Sequence, residues 1–310
     1  MARKLYIDGF QYAKELGFIG YSWNLDVPRQ RIRKLVQAAN LSGIILIVFM
    51  NASIRTGDAL VKWRERCENE IKDENHGAIT CQNVLMAELF QENGVSVYYS
   101  PVNVDCNDCI MSHAYHDRAS ILSNNNAIFR YVKNGKRPQY TNIYSSYIIR
   151  EKVILIKKEF PSFVPPQREI IDRIPLSSLK TKDPGLIEVK EHKRYLRGVP
   201  SPLSKIGNPH APLVNLRQVL YAKFGIDEVE EEWPIWKDGP TWHREKVKAS
   251  VEHVNMFNKK PMEIVRLLYG ESKKSSNPLQ CNHMLAQKIL VCELYSIYHN
   301  MRLLDALKIV

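Results

Sequence analysis

Residues 44–49, Ile-Ile-Leu-Ile-Val-Phe, leave little freedom in how this chain folds. An unbroken run of β-branched, aliphatic and aromatic side chains has no polar face to turn toward water. It suits a central parallel strand buried on both faces, and such sheets are covered by helices on both sides. Strand-like stretches at 4–7, 95–99 and 120–123 alternate with helix-like ones, giving four β–α steps in about 130 residues. The expected class is α/β with a mainly parallel central sheet.

In a sheet of this kind functional groups stand on the loops leaving the carboxyl ends of the strands. The first strand ends on Asp8-Gly9. A carboxylate there suits a metal or phosphate, and equally a plain turn. Strand 95–99, helix Cys106–His116 and strand 120–123 turn loops 103–108 and 123–127 toward the same crevice. These loops offer Asp105 and Asp108 beside Asn103, Asn107, Asn124, Asn125 and Asn126. Amide oxygens coordinate cations but neutralise no charge.

Between the strands, Asp26 is placed to cap a helix that takes Pro28 in its first turn and carries Ile32, Leu35, Val36 and Ala39 inward. In residues 58–72, Leu60, Trp63, Cys67 and Ile71 share one helix face, and Lys62, Arg64 and Arg66 lie on others. Those cations read either as an arch over a substrate backbone or, more commonly, as a solvated face. Residues 84–90 continue a further helix that stops at Asn93-Gly94. Residues 144–156 add one or two strands.

Nine of the 16 prolines fall between 160 and 212, a long irregular connection. Beyond it, 213–224, 241–257, 261–269 and 279–307 all show three- and four-residue apolar spacing. The domain reading is therefore 1–160, a Pro-rich segment 161–212, and an α-helical C-terminal region 213–310. The acidic stretch 227–232 ahead of Trp233 and Trp236 reads as an acidic loop over tucked aromatics, with a docking surface as the rival.

A formal charge of +11 and a pI near 9.3 favour a polyanionic partner, nucleic acid ahead of a membrane surface. The longest apolar run, 43–50, is far short of the roughly 20 residues that span a bilayer. Six cysteines make no disulfide framework in a chain of this size, and the N-terminus has no apolar signal core. The expectation is an intracellular protein, nuclear or cytoplasmic and not secreted, with no membrane partner. Cys106, Cys109, His113 and His116 share a helix face but run over about 15 Å, so all four do not converge on one zinc ion; a plain helix face is the more common reading, with a two- or three-ligand site as the rival. The phosphate-loop, dinucleotide, nucleophile-elbow and zinc-protease motifs are absent. Lys133, Lys136 and Arg137 form a basic turn that suits phosphates, or a solvated hairpin tip equally well.

The ordered blocks YIDGF, IVFMNAS with KWRERCENEIK, ENGVSVYYSPVNVDCNDC and ILSNNNAIFRY resemble those of flap-endonuclease and XPG-type PIN-like nucleases over residues 4–132. The resemblance implies a PIN-like fold and metal-dependent phosphodiester hydrolysis. It also implies a set of acids, of which Asp8 and Asp105 keep two. Met50 or Asn51, Asn103, Asn125 and Ala127 stand where the others belong. Two-metal catalysis demands several carboxylates. Within the superfamily, IVFMNAS with KWRER and PLVNLRQVLYAKFG with VEEEW are similar to the asteroid and constitutive-coactivator branch, whose nuclease domain is degenerate. That implies no catalytic residues and no required cofactor, with Asp8, Asp105 and Asp108 as vestigial metal positions. It further implies an RNA- or protein-binding scaffold, with Lys62, Arg64, Arg66, Lys133, Lys136 and Arg137 on nucleic acid and the helical C-terminal region on a protein partner. The rival is an active Mg²⁺- or Mn²⁺-dependent nuclease using the three acids with asparagines as neutral ligands.

Overall fold

The apolar run forms β2 (Ile44–Met50), one strand from the middle of a seven-stranded sheet. The computed structural model describes residues 3–13, 15–18, 25–51, 57–72, 81–101, 104–125, 142–157, 173–175, 193–195, 210–236, 239–270 and 278–309. The other strands are β1 (Arg3–Asp8), β3 (Ser96–Tyr99), β4 (Ser120–Leu122), β5 (Ile143–Ile149), β6 (Val153–Lys157) and β7 (Ile174–Pro175), in the order β6-β5-β4-β1-β2-β3-β7. Pairings β5-β4, β4-β1, β1-β2 and β2-β3 are parallel, and only the edge strands β6 and β7 run antiparallel. The fold is thus α/β with a mainly parallel central sheet, as the apolar run requires.

Four helices accompany these strands in the chain: α1 (Asp26–Leu41), α2 (Gly57–Lys72), α3 (Gln82–Glu92) and α4 (Cys106–His116). On one face of the sheet, α4 lays Cys106, Cys109, Ile110, Met111 and Ala114 over Tyr6, Ile47, Phe49, Ile121 and Ile143. Because side chains alternate along a strand, Asp8 falls on the same face as Tyr6. Helix α1 packs on β2, β5 and β6 through its buried stripe of Ile32, Leu35, Ala38 and Ala39. Asp26 is not its cap: Leu25 precedes the helix without a side-chain cap bond. The Asp26 carboxylate lies within the first turn, where it complements the helix dipole and accepts from Arg29 Nη1 at 3.2 Å.

By its contacts the chain divides into two units, and the division does not follow sequence order. The first contains residues 1–18, 24–53 and 86–179, and the second 19–23, 54–85 and 180–310. In the second, β9 (Glu228–Trp236) is the middle of a three-stranded sheet. It pairs antiparallel with β10 (Pro240–Lys248) over nine residues and parallel with β8 (Lys193–Tyr195). Helix α2 packs on this hairpin, with Trp63 and Trp242 rings 5.8 Å apart and Trp242 Nε1 donating to Glu68 at 2.7 Å. Helices α5 (Val214–Lys223), α6 (Pro261–Tyr269), α7 (Pro278–Tyr298) and α8 (Leu303–Lys308) complete the unit. Its core joins Leu216, Leu220, Val229, Val247, Phe257, Ile264, Val291 and Leu294.

Two expectations for this region are corrected. Residues 241–257 are no helix but strand β10 followed by a 3₁₀ turn at Val254–Asn258. The acidic stretch 227–232 is neither loop nor docking surface, because Glu231 and Glu232 are buried in the middle strand. Arg217 answers Glu231 with two bonds of 2.6 and 2.7 Å, Tyr221 donates a third, and Arg64 pairs with Glu232. Buried carboxylates persist where such donors neutralise them.

Candidate functional site

Asp8 ends β1 in register with Phe49 of β2, one residue past the pairing of Ile7 with Leu122 of β4. Gly9 follows because nothing larger fits: a Cβ there would lie 2.6 Å from Met50 Sδ and 2.8 Å from Val48 Cγ1. Met50, standing where the resemblance calls for an acid, therefore packs against the turn that presents Asp8.

The carboxylate is 3% exposed. Ser123 Oγ, just past β4, donates to Asp8 Oδ2 at 3.3 Å and itself accepts from the Asn125 amide at 3.2 Å. The Asn125 side chain and the Gln11 backbone also reach Asp8. Burial, opposed by the Ser123 bond and reinforced by the charge of Asp105, pushes the Asp8 carboxyl up to about 7.

Asp105 arrives from the other side as the N-cap of α4. Its backbone is extended, and Oδ1 accepts from Asn107 N at 2.8 Å and Asn107 Nδ2 at 3.0 Å. The opposite end of α4 is pinned to β1, since the C-cap residue Asp117 accepts from Lys4 Nζ at 2.8 Å and from the Tyr6 hydroxyl. Burial works to raise the Asp117 carboxyl, but the bonds from Lys4 and Tyr6 and the nearby charges hold it below the usual carboxylate range. Fixed at both ends, α4 holds Asp105 close to Asp8. Between them the Cys106 thiol is buried and pushed well up, by burial first and then by Asp8, so it remains a protonated thiol at neutral pH.

The structure thus brings together two of the three expected acids. Asp108 lies half-buried in the first turn of α4, and the acid that acts on Asp8 is Asp105. Asn107 turns its amide N–H to Asp105, and Asn124 is exposed. Asn103, Asn126 and Ala127 lie outside the described residues, as do Lys133, Lys136, Arg137 and the side chains of Lys62 and Arg66. Arg64 is not presented to a phosphate backbone: Glu232 holds its guanidinium, which also sits 4.9 Å over the Trp242 ring. Of the Cys106–His116 face, Cys106, Cys109 and His113 are buried, His113 packed 5.7 Å from the Phe49 ring, and His116 is exposed. Ser123 and Cys106 lie within the quoted blocks, but nothing in their sequence context marks the contact with Asp8. Only the parallel pairing of β4 with β1 brings Ser123 to Asp8.

Chemically the site offers one acid that titrates near neutrality and one carboxylate already engaged as a helix cap. Among the described residues no group of three or more His, Cys, Asp or Glu gathers to hold a metal ion. Mg²⁺ binds through one or two carboxylates, water and substrate phosphates, so the two carboxylates of Asp8 and Asp105 are too few for a pair of ions. No helix among the described residues is long and apolar enough to cross a membrane.

No protein-family model and no curated protein matches this chain. Among solved structures the chain is similar to the catalytic core of Rad2 in complex with a DNA substrate, at 8% identity and a TM-score of 0.31, over 99% of this chain and 90% of that one. It is also similar to the flap endonuclease of bacteriophage T5 in complex with DNA and metal ions, at 10% identity and a TM-score of 0.25, over 99% of this chain and 98% of that one.

Proposed function

We propose that this chain is a PIN-like protein of the flap-endonuclease type, in the asteroid and constitutive-coactivator branch. Its crevice no longer hydrolyses phosphodiesters, and it works as an RNA-binding scaffold in a nuclear or cytoplasmic setting. The observation that carries the reading is the poverty of charge around Asp8. Among the described residues, a buried carboxyl lifted to about 7 and the neighbouring Asp105 hold too little negative charge for two divalent ions. The ordered sequence blocks supply the family; the replaced acids supply the loss of activity.

RNA contact is assigned to Lys62, Arg66, Lys133, Lys136 and Arg137, with Arg64 left out because Glu232 holds it. The excess of 11 positive charges supports a phosphate partner. Incubation of the full chain with labelled flap DNA, single-stranded DNA and RNA in Mn²⁺ is expected to leave all three intact. Affinity for single-stranded RNA is expected to fall steeply with salt. Cleavage that disappears in Asp8→Ala would instead establish the one-ion nuclease. A salt-independent or absent RNA complex would pass the scaffold role to a protein partner of the C-terminal region.

A further inference from the structure

Next to the Asp8 turn, the first unit contains a cavity of about 360 Å³ lined by Tyr12, Glu15, Arg31, Lys34, Ser146, Tyr147 and Ile149. Three elements build it. The 3₁₀ turn Gly9–Tyr12 after β1 supplies Tyr12, α1 supplies Arg31 and Lys34 three residues apart on one side of the helix, and β5 supplies Ser146, Tyr147 and Ile149. The Tyr12 hydroxyl donates to Ser145 O at 2.9 Å, which fixes its ring. The half-buried Tyr147 ring packs 5.8 Å from it at 52°, so Tyr12 forms the buried floor and Tyr147 the part of the wall that reaches the opening.

The electrostatics are one-sided. Burial, then Glu15, pushes the Tyr147 hydroxyl up to about 12, and burial raises Tyr12 as well, so both rings are neutral at physiological pH. Of the charged groups, Arg31 uses Nη1 on the Glu15 carbonyl at 2.6 Å. Among the described residues Lys34 has no carboxylate partner. Among the described lining residues two cations face the one carboxylate of Glu15, and the Asp8 charge acts on the buried Tyr12 from behind.

These features select a ligand by elimination. A purely apolar guest would leave Arg31 and Lys34 unused at the rim. A bare phosphate would fill a fraction of the volume and leave the Tyr147 ring without a contact. A flat ring that packs on tyrosine and carries an anion at one end uses both kinds of wall. We propose that this pocket binds a nucleoside 5′-monophosphate, its base against Tyr147 and its phosphate at Arg31 and Lys34. The same unit occurs free and at the phosphorylated end of a strand. The site goes beyond the RNA-scaffold reading and shares no residue with the crevice or with the proposed RNA contacts.

The test titrates the full chain with AMP, adenosine and inorganic phosphate by calorimetry, with saturation-transfer NMR to locate the contact on the ligand. AMP is expected to bind at least about tenfold more tightly than adenosine or phosphate, with saturation strongest on the base protons. Lys34→Glu, an exposed position that leaves the core untouched, is expected to weaken AMP by about tenfold or more while the circular dichroism stays that of the parent. Tyr147→Leu is expected to lower the base saturation. A 5′-phosphorylated tetranucleotide that competes more strongly than AMP assigns the pocket to a strand end, and weaker competition assigns it to the free nucleotide. Absence of AMP binding, adenosine binding as tightly as AMP, or equal AMP affinity in the parent and Lys34→Glu would each overturn the proposal.

Discussion

Replacing Asp8 by Asn removes a charge that its surroundings disfavour, so the two proteins should diverge in stability as pH rises. In the unfolded chain the carboxyl loses its proton near 3.8, and in the folded chain near 7. Between those values only the unfolded chain is ionised there, and raising the pH favours unfolding. The contribution of neutral Asp8 is fully present below about pH 4. It declines by about 1.4 kcal/mol per pH unit and levels off above about pH 7, after a loss of about 4 kcal/mol. Asn has the same shape, keeps an oxygen for the Ser123 hydroxyl, and carries no such dependence. The advantage of Asp8→Asn over the parent should therefore be about 2 kcal/mol at about pH 5 and about 4 kcal/mol at about pH 8. Urea unfolding followed by far-ultraviolet circular dichroism reads this difference. The described tryptophans (63, 233, 236 and 242) belong to the second unit, so their fluorescence is a control that should move less. Stability curves that run parallel for the two proteins across this range would refute the argument, for they would mean that Asp8 is ionised throughout.

Asp105→Ala should cost about 1 kcal/mol through the lost α4 cap, and it should also lower the pH at which the Asp8 effect levels off, because a like charge has gone; the same pH series on the variant checks both. Arg217→Met should destabilise the second unit by about 3–5 kcal/mol, since it leaves Glu231 buried without its bidentate partner. Adding Glu231→Leu should recover most of that loss, and urea unfolding monitored by tryptophan fluorescence distinguishes the two.

The parallel sheet was legible because its strands announce themselves locally. Ile44 through Phe49 has no polar face, and Asp8 marks a strand end beside a glycine. The hairpin β9-β10 was hidden by its own surface. Arg244, Glu245, Lys246 and Lys248 are exposed helix-favouring residues on a strand, and Val247, Val251 and Val254 fall by chance at helical spacing. Only Val247 of these is deeply buried, and Val251 is 67% exposed, so the apparent stripe is no stripe. The acids Glu231 and Glu232 misled for a different reason. Their partners lie 14 and 168 positions away, at Arg217 and Arg64, and local sequence is blind to such pairs. At the candidate site, the position of Asp8 was readable but its protonation was not. Proton affinity there is set by depth of burial and by Asp105 across a parallel crossover.

The interleaving of the two units has a consequence for synthesis. Helix α2 leaves the ribosome about 150 residues before β9 and β10, the strands that cover it. At ordinary elongation rates that is a wait of about 10–30 s. During it Trp63 and Cys67 have no sheet to meet, so α2 is the stretch a holding chaperone would find first. Cutting the gene after codon 160 would make that wait permanent, and a fragment begun at codon 213 would lack the helix that shields Trp242.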